Sequence, residues 1–179
     1  MSSILTAIDF ETTGTSPGWP SEPWQIGICQ FRCNGYTTPE ILATFSSFLR
    51  IPLERPFNNF TPGRHAQLRD ELAISPTIYD IWEDIFPFLD NTTLVAHNLG
   101  TERSILRRTA PLHHFDNWID TLALARAYYP GLTSYALEDL SEILHLTTVI
   151  QASAPPHIGP HDALYGAISC AHLYAAIKG

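Results

Sequence analysis

Apolar and polar positions along the chain fall into blocks of two periods. Residues 3–10 (SILTAIDF) are a nearly continuous apolar run ending in an acid, as expected of a central strand buried on both faces. Residues 24–32 (WQIGICQFR) read as a second strand and 40–51 as a third, with Asn34-Gly35 as a hairpin-type turn between them. Residues 52–62, rich in Pro and Asn, read as a loop. A short helix is expected over 65–72 and a better one over 77–89, where Pro87 predicts a kink or an early end. Residues 92–97 (TTLVAH) read as a fourth strand running into Asn98-Leu99-Gly100, followed by a helix over 101–108. Residues 120–128 are helical and end at Pro130-Gly131. Over 134–145 the apolar positions Leu137, Leu140, Ile143 and Leu144 have the spacing of a one-sided helix. Residues 151–160 (QASAPPHIGP) read as a loop, and Pro160 suits the first turn of a last helix reaching about residue 177. This order predicts an α/β fold with a mixed central sheet of about five strands, flanked by helices, as a single domain over 1–179.

Composition narrows the function classes. The chain has 179 residues, 45% of them hydrophobic, enough for one full core. No run approaches the roughly 20 apolar residues of a membrane helix, and the first residues lack the basic start of a signal peptide. Three cysteines (Cys29, Cys33, Cys170) lack zinc-ligand spacing and read as reduced thiols of a cytoplasmic protein. The net charge of −8 argues against coating long nucleic acid. It leaves room for an enzyme that grips a strand end through bound cations.

The candidate chemistry lies in three pieces. Asp9 and Glu11 stand two apart at a strand end, so both carboxylates point to one face. Glu102 falls in the first turn of the helix after the fourth strand, and Asp162 at the start of the last helix. Both are places where the helix dipole favours an acid. His157 sits on the Pro/Gly loop before Asp162, with an ordinary pKa that suits it to take a proton at neutral pH. His161 is the weaker competitor, because its side chain should diverge from that of its neighbour Asp162. Each piece alone has a plain explanation as a strand-end acid, a helix-start acid or a loop histidine. Together they supply four hard oxygen ligands suited to magnesium or manganese, and a base, for metal-assisted phosphodiester hydrolysis.

These stretches resemble the DEDD-type 3′→5′ exonucleases of the His subclass, whose members include polymerase proofreading subunits, ribonuclease T and oligoribonuclease. The segments AIDFETTG (7–14), VAHN (95–98), DTLALAR (120–126), SYALEDL (134–140) and the His157…Asp162-Ala163 spacing carry the resemblance over nearly the whole chain. It implies a ribonuclease-H-like fold, two Mg²⁺ or Mn²⁺ ions, and release of nucleoside 5′-monophosphates from the 3′ end of single-stranded DNA or RNA. By position, Asp9, Glu11, Glu102 and Asp162 are metal ligands, and His157 with Glu11 is catalytic. Phe10, Thr12 and Thr13 line the pocket of the terminal nucleotide. Asn98, on the substrate side of the second motif, shapes the helix start together with His97. Trp19 is a candidate for stacking on a base. The chain departs from the family at Glu102 and Thr101, where an Asp and an aromatic are usual, and at Gln25, where a Glu is usual and the change is expected to matter little.

Two other readings stand beside the nuclease. One is a nucleic-acid-binding or polymerase-associated module of the same fold with weak or lost catalysis. The other is a hydrolase of dinucleotides, which shares the chemistry. Arg103 and Arg107, one helical turn apart, are candidate phosphate contacts beside the plainer reading of a solvated helix face. DNA against RNA, and monomer against homodimer, stay open.

Overall fold

The computed structural model describes residues 3–35 and 38–178. Met1, Ser2, Tyr36, Thr37 and Gly179 lie outside the described residues. A five-stranded sheet has the order β3-β2-β1-β4-β5. β1 (Ile4–Thr12), β2 (Pro23–Arg32) and β3 (Glu40–Phe48) form an antiparallel meander. β4 (Thr93–Ala96) and β5 (Trp118–Asp120) run parallel to β1. β1 and β2 are buried almost throughout, because helices cover both faces of the sheet there. β3, at the edge, alternates between half-buried and exposed positions.

On one face, Ile8, Phe10, Ile26 and Ile28 pack under α2 (Trp82–Leu89) and α3 (Gly100–Thr109). On the other, Leu5, Ala7, Cys29 and Phe31 pack under α4 (Thr121–Tyr128), α5 (Leu137–Ile143), α6 (Thr147–Ser153) and α7 (Ala163–Lys178). α7 is buried around most of its circumference, so it has no polar stripe and acts as a central pillar. A third cluster, Trp24, Ile51 and Leu72, ties α1 (Arg69–Ile74) and the 52–62 loop to the sheet edge.

The mixed sheet, its hairpin and its flanking helices are those expected from the sequence. Five details differ. β5 is three half-buried residues, too short for a period to register. α6 occupies residues expected partly as loop, held by burial of Ile150 against the α7 side of the core. α2 starts at Trp82, after a turn in which Thr77 and Asp80 exchange capping hydrogen bonds. α7 starts at Ala163, after Pro160 and a left-handed His161 (φ 63°). The connection between β2 and β3 is longer than a tight hairpin, with Gly35 at φ 76°.

Candidate active site

The carboxylates come from three separate stretches of chain. Asp9 and Glu11, at the C-terminal end of β1, point toward α7. Two glycines allow that helix to press so closely. Gly27 lies opposite Asp9 in the β1–β2 register, and a Cβ there would sit 2.1 Å from the Ala163 backbone. A Cβ on Gly166 would sit 2.2 Å from Asp9 Oδ2. Glu102, only 4% exposed, comes from the first turn of α3. Asp162 caps α7, its Oδ1 accepting from the backbone N–H groups of Leu164 (3.0 Å) and Tyr165 (3.4 Å).

Gln25 completes the arrangement. Its Nε2 donates to Asp162 Oδ2 at 2.8 Å, while its Oε1 accepts from Ala163 N–H at 3.3 Å. A glutamate there would turn a carboxylate toward Asp162. The amide supplies a donor instead, so the change expected to matter little fixes a site acid. No periodicity or motif marks this role, because it depends on a contact 137 residues away.

Burial pushes the Asp9 carboxyl up to about 7, with Asp162 adding to the rise and a hydrogen bond from the Phe10 backbone opposing it. Glu11 rises to about 8 through burial and then through the charges of Asp9, Asp162 and Glu138. Glu102 rises to about 8 through burial and the charge of Asp9. Acids that raise one another in this way share one electrostatic site. Among the described residues no three His, Cys, Asp or Glu side chains stand ready around one point to hold a metal ion. The donors nevertheless fit a hard divalent cation. They are carboxylate oxygens, and Glu102 Oε2 is buried with no hydrogen-bond partner.

A cavity of about 130 Å³ beside these acids is lined by Asp9, Glu11, Asp162, Glu138 and His161. His161 Nδ1 stands 3.4 Å from Glu138 Oε1. His157 is exposed on the turn before Asp162, makes no hydrogen bond or ion pair among the described residues, and is not in that lining. Glu138 is a further acid at the site that sequence reasoning passed over, since it looks like an ordinary helix-start carboxylate.

On the other side of Glu11, Phe10, Thr12 and Gly14 line an open cleft of about 320 Å³ with Asn58 and the exposed Phe60. Thr13, expected in this pocket, is fully buried. Its Oγ1 accepts from Glu22 N–H and Arg55 Nη2 and donates to Gly14 O, so the side chain serves the loop and not the cleft. Asn98 is exposed at φ 62°, its N–H donating to Asp120 Oδ1 at 3.0 Å. His97 shapes this corner through both ring nitrogens, to Thr121 Oγ1 and Tyr135 O. Burial lowers its pKa, and the Tyr135 carbonyl requires the Nε2–H tautomer. Trp19 is 40% exposed, and the Arg55 guanidinium lies over its ring at 5.1 Å.

A family model for RNase_T-type exonucleases matches residues 6–174. The chain belongs to this exonuclease family. The DNA polymerase III epsilon subunit of Rickettsia conorii is 30% identical, over 100% of this exonuclease and 76% of that protein. The 3′-5′ exonuclease DinG of Staphylococcus saprophyticus is also 30% identical, over 75% of this chain but 15% of that protein. The chain therefore spans only a small part of the DinG relative. In fold, the exonuclease superposes on the nuclease domain of 3′hExo, a DEDDh family member bound to rAMP. The TM-score is 0.70 at 16% identity, covering 97% of this chain and 90% of that one. Escherichia coli Exonuclease I in complex with a dT13 oligonucleotide gives a TM-score of 0.65 at 14% identity, over 98% of this chain and 41% of that one. The enzyme thus has the DEDDh nuclease fold, and its family implies divalent metal.

Proposed function

We propose that the chain, taken as one exonuclease domain over 1–179, hydrolyses the last phosphodiester bond at the 3′ end of single-stranded DNA or RNA and releases nucleoside 5′-monophosphates. The observation that carries this reading is the meeting of Asp9, Glu11, Glu102 and Asp162 from three distant stretches, three of them raised to about 7 or 8 by burial and mutual repulsion. These four residues would hold two Mg²⁺ or Mn²⁺ ions, which would polarise the phosphate and favour deprotonation of water. The terminal nucleoside lies in the cleft at Phe10 and Thr12, leaving its 5′ phosphate beside Glu11. His157 takes the proton of the attacking water as the new P–O bond forms. The P–O3′ bond breaks, and the leaving 3′ oxygen gains a proton from solvent. An apo loop histidine can close to hydrogen-bond distance only in the substrate complex, so its exposed position suits a base that swings in. His161, 3.4 Å from Glu138 and lining the same cavity as Asp162, is the competing base. The DNA polymerase III epsilon relatives support association of the chain with a polymerase.

The test is a 5′-labelled oligomer, DNA or RNA, incubated with magnesium, manganese or chelator. A metal-dependent ladder shortening from the 3′ end is expected. Asp162→Ala should be silent, His157→Ala slower by about 10²–10⁴-fold, and His161→Ala within a few-fold of the parent. No shortening by folded protein in either metal would sink the reading.

A further inference from the structure

The chain holds only ten Lys and Arg residues against 18 Asp and Glu, yet Arg103, Arg107 and Arg108 all lie on α3. α3 is the helix that delivers Glu102 to the site. Its inner face is buried through Glu102, Ile105 and Leu106, while all three arginines are exposed. Arg108 Nη2 donates to Ser21 O at 3.3 Å. The side chains of Arg103 and Arg107 form no hydrogen bond or ion pair among the described residues.

These arginines line a cavity of about 520 Å³ between α3 and the 111–118 segment, together with His113 and His114. Its opposite wall is fixed. His113 Nε2 stands 3.5 Å from Asp90 Oδ1 and meets the Phe86 ring edge-on, and Trp118 Nε1 donates to Phe115 O at 2.7 Å. Asp116 is the one carboxylate in the lining. A solvated helix face needs no such wall. A concave, cation-lined groove on the helix that carries Glu102, on a protein of net charge −8, concentrates the available positive charge where an extended polyanion could lie. Four helical residues advance about 6 Å, so Arg103 and Arg107 reach separate points along it.

We propose that this groove binds the phosphate backbone of the substrate strand upstream of its 3′ end, with Arg103 and Arg107 each neutralising a phosphate. This rests on the nuclease reading above. It makes the enzyme one for oligomers, because a dinucleotide has no upstream backbone to fill the groove.

The test measures equilibrium binding of a fluorescent single strand of about a dozen nucleotides to the intact protein, in chelator, across a salt series. Arg103→Gln/Arg107→Gln should weaken binding about 10-fold or more. It should also lower the slope of log affinity against log salt by roughly 1.4, since each phosphate neutralised on a single strand adds about 0.7 to that slope. Arg126→Gln, on α4 away from the groove, should leave the slope unchanged. In turnover with magnesium, the double variant should raise KM for the oligomer and cleave a dinucleotide at the parent's rate. Parent-like affinity and slope in the double variant, an equal loss in Arg126→Gln, or a parent that does not bind would each overturn the proposal. A parent that binds but cleaves nothing counts against the nuclease reading, and the salt slope still decides this one.

Discussion

At the scale of single residues, the site depends on a side chain that is absent. Glycine inside a helix costs about 1 kcal/mol relative to alanine, so helix propensity alone favours Gly166→Ala. The added methyl would meet Asp9 Oδ2 at 2.2 Å and push the carboxylate from its place. We expect Gly166→Ala to lose about 10²-fold or more in kcat/KM, since displacements near 1 Å at a reacting centre have that effect. Its melting temperature should not rise. Parent-like turnover together with a raised melting temperature would show that Asp9 has room to move. Asp9, Glu11, Glu102, Asp162 and His157 were singled out as candidates in the sequence, because short motifs at element ends mark them. Gly166 and Gln25 were not. A glycine in an apolar helix and a glutamine in an apolar strand look unremarkable until the partner surface is known.

Among the elements, the loops beside the site are held by one buried cation. Arg55 is 1% exposed. Its guanidinium donates to Thr13 Oγ1 (2.9 Å), Glu22 Oε2 (3.2 Å) and the carbonyls of Pro20 and Pro56. It thereby joins the segment after β1 to the 52–61 loop. Asn58 N–H and Thr61 Oγ1 both donate to Thr13 O, and Gly14 at φ 65° leaves no space for a Cβ against Asn58. Arg55→Met would leave several buried oxygens without a donor, at about 3 kcal/mol, with Glu22 adding little because it is half in solvent. Urea denaturation should show that loss. Oligomer KM should rise more than kcat falls, since the cleft at Phe10 and Thr12 loses its wall before the carboxylates move. An unchanged denaturation midpoint would argue against the lock. The long strands and α7 were readable because their apolar runs extend over many residues and a Pro/Gly loop precedes α7, whereas β5 and α6 are too short and exist through the neighbours they pack on.

For the molecule as a whole, the acid cluster couples stability to pH and to metal. Without a cation, the folded-state values of Asp9 (about 7), Glu11 (about 8) and Glu102 (about 8) lie above their ordinary values of 3.8, 4.5 and 4.5. Groups raised on folding contribute their stability in full at low pH, and it is lost as pH rises through the folded values. The metal-free protein should therefore lose stability from about pH 4 to about pH 8. Magnesium or manganese, binding the ionised folded site, should stabilise it more at pH 8 than at pH 5.5. Thermal melts at the two pH values, with and without metal, measure this. An equal metal-induced shift at both would mean that these carboxylates are not the ligands.

The sequence by itself determined what is local: the apolar periods that define the main strands and helices, the acids and histidine at their ends, and the order that permits a mixed sheet. The tertiary structure alone decided how the acids behave. Whether a carboxylate keeps its proton, whether Glu102 has a partner, and whether an amide or a missing methyl holds Asp162 and Asp9 all depend on burial and on groups far away in the chain. Such energies fall off within a few ångströms, so they exist only once α7 rests on Gly27 and Glu102 on its first helical turn comes within reach of Asp9.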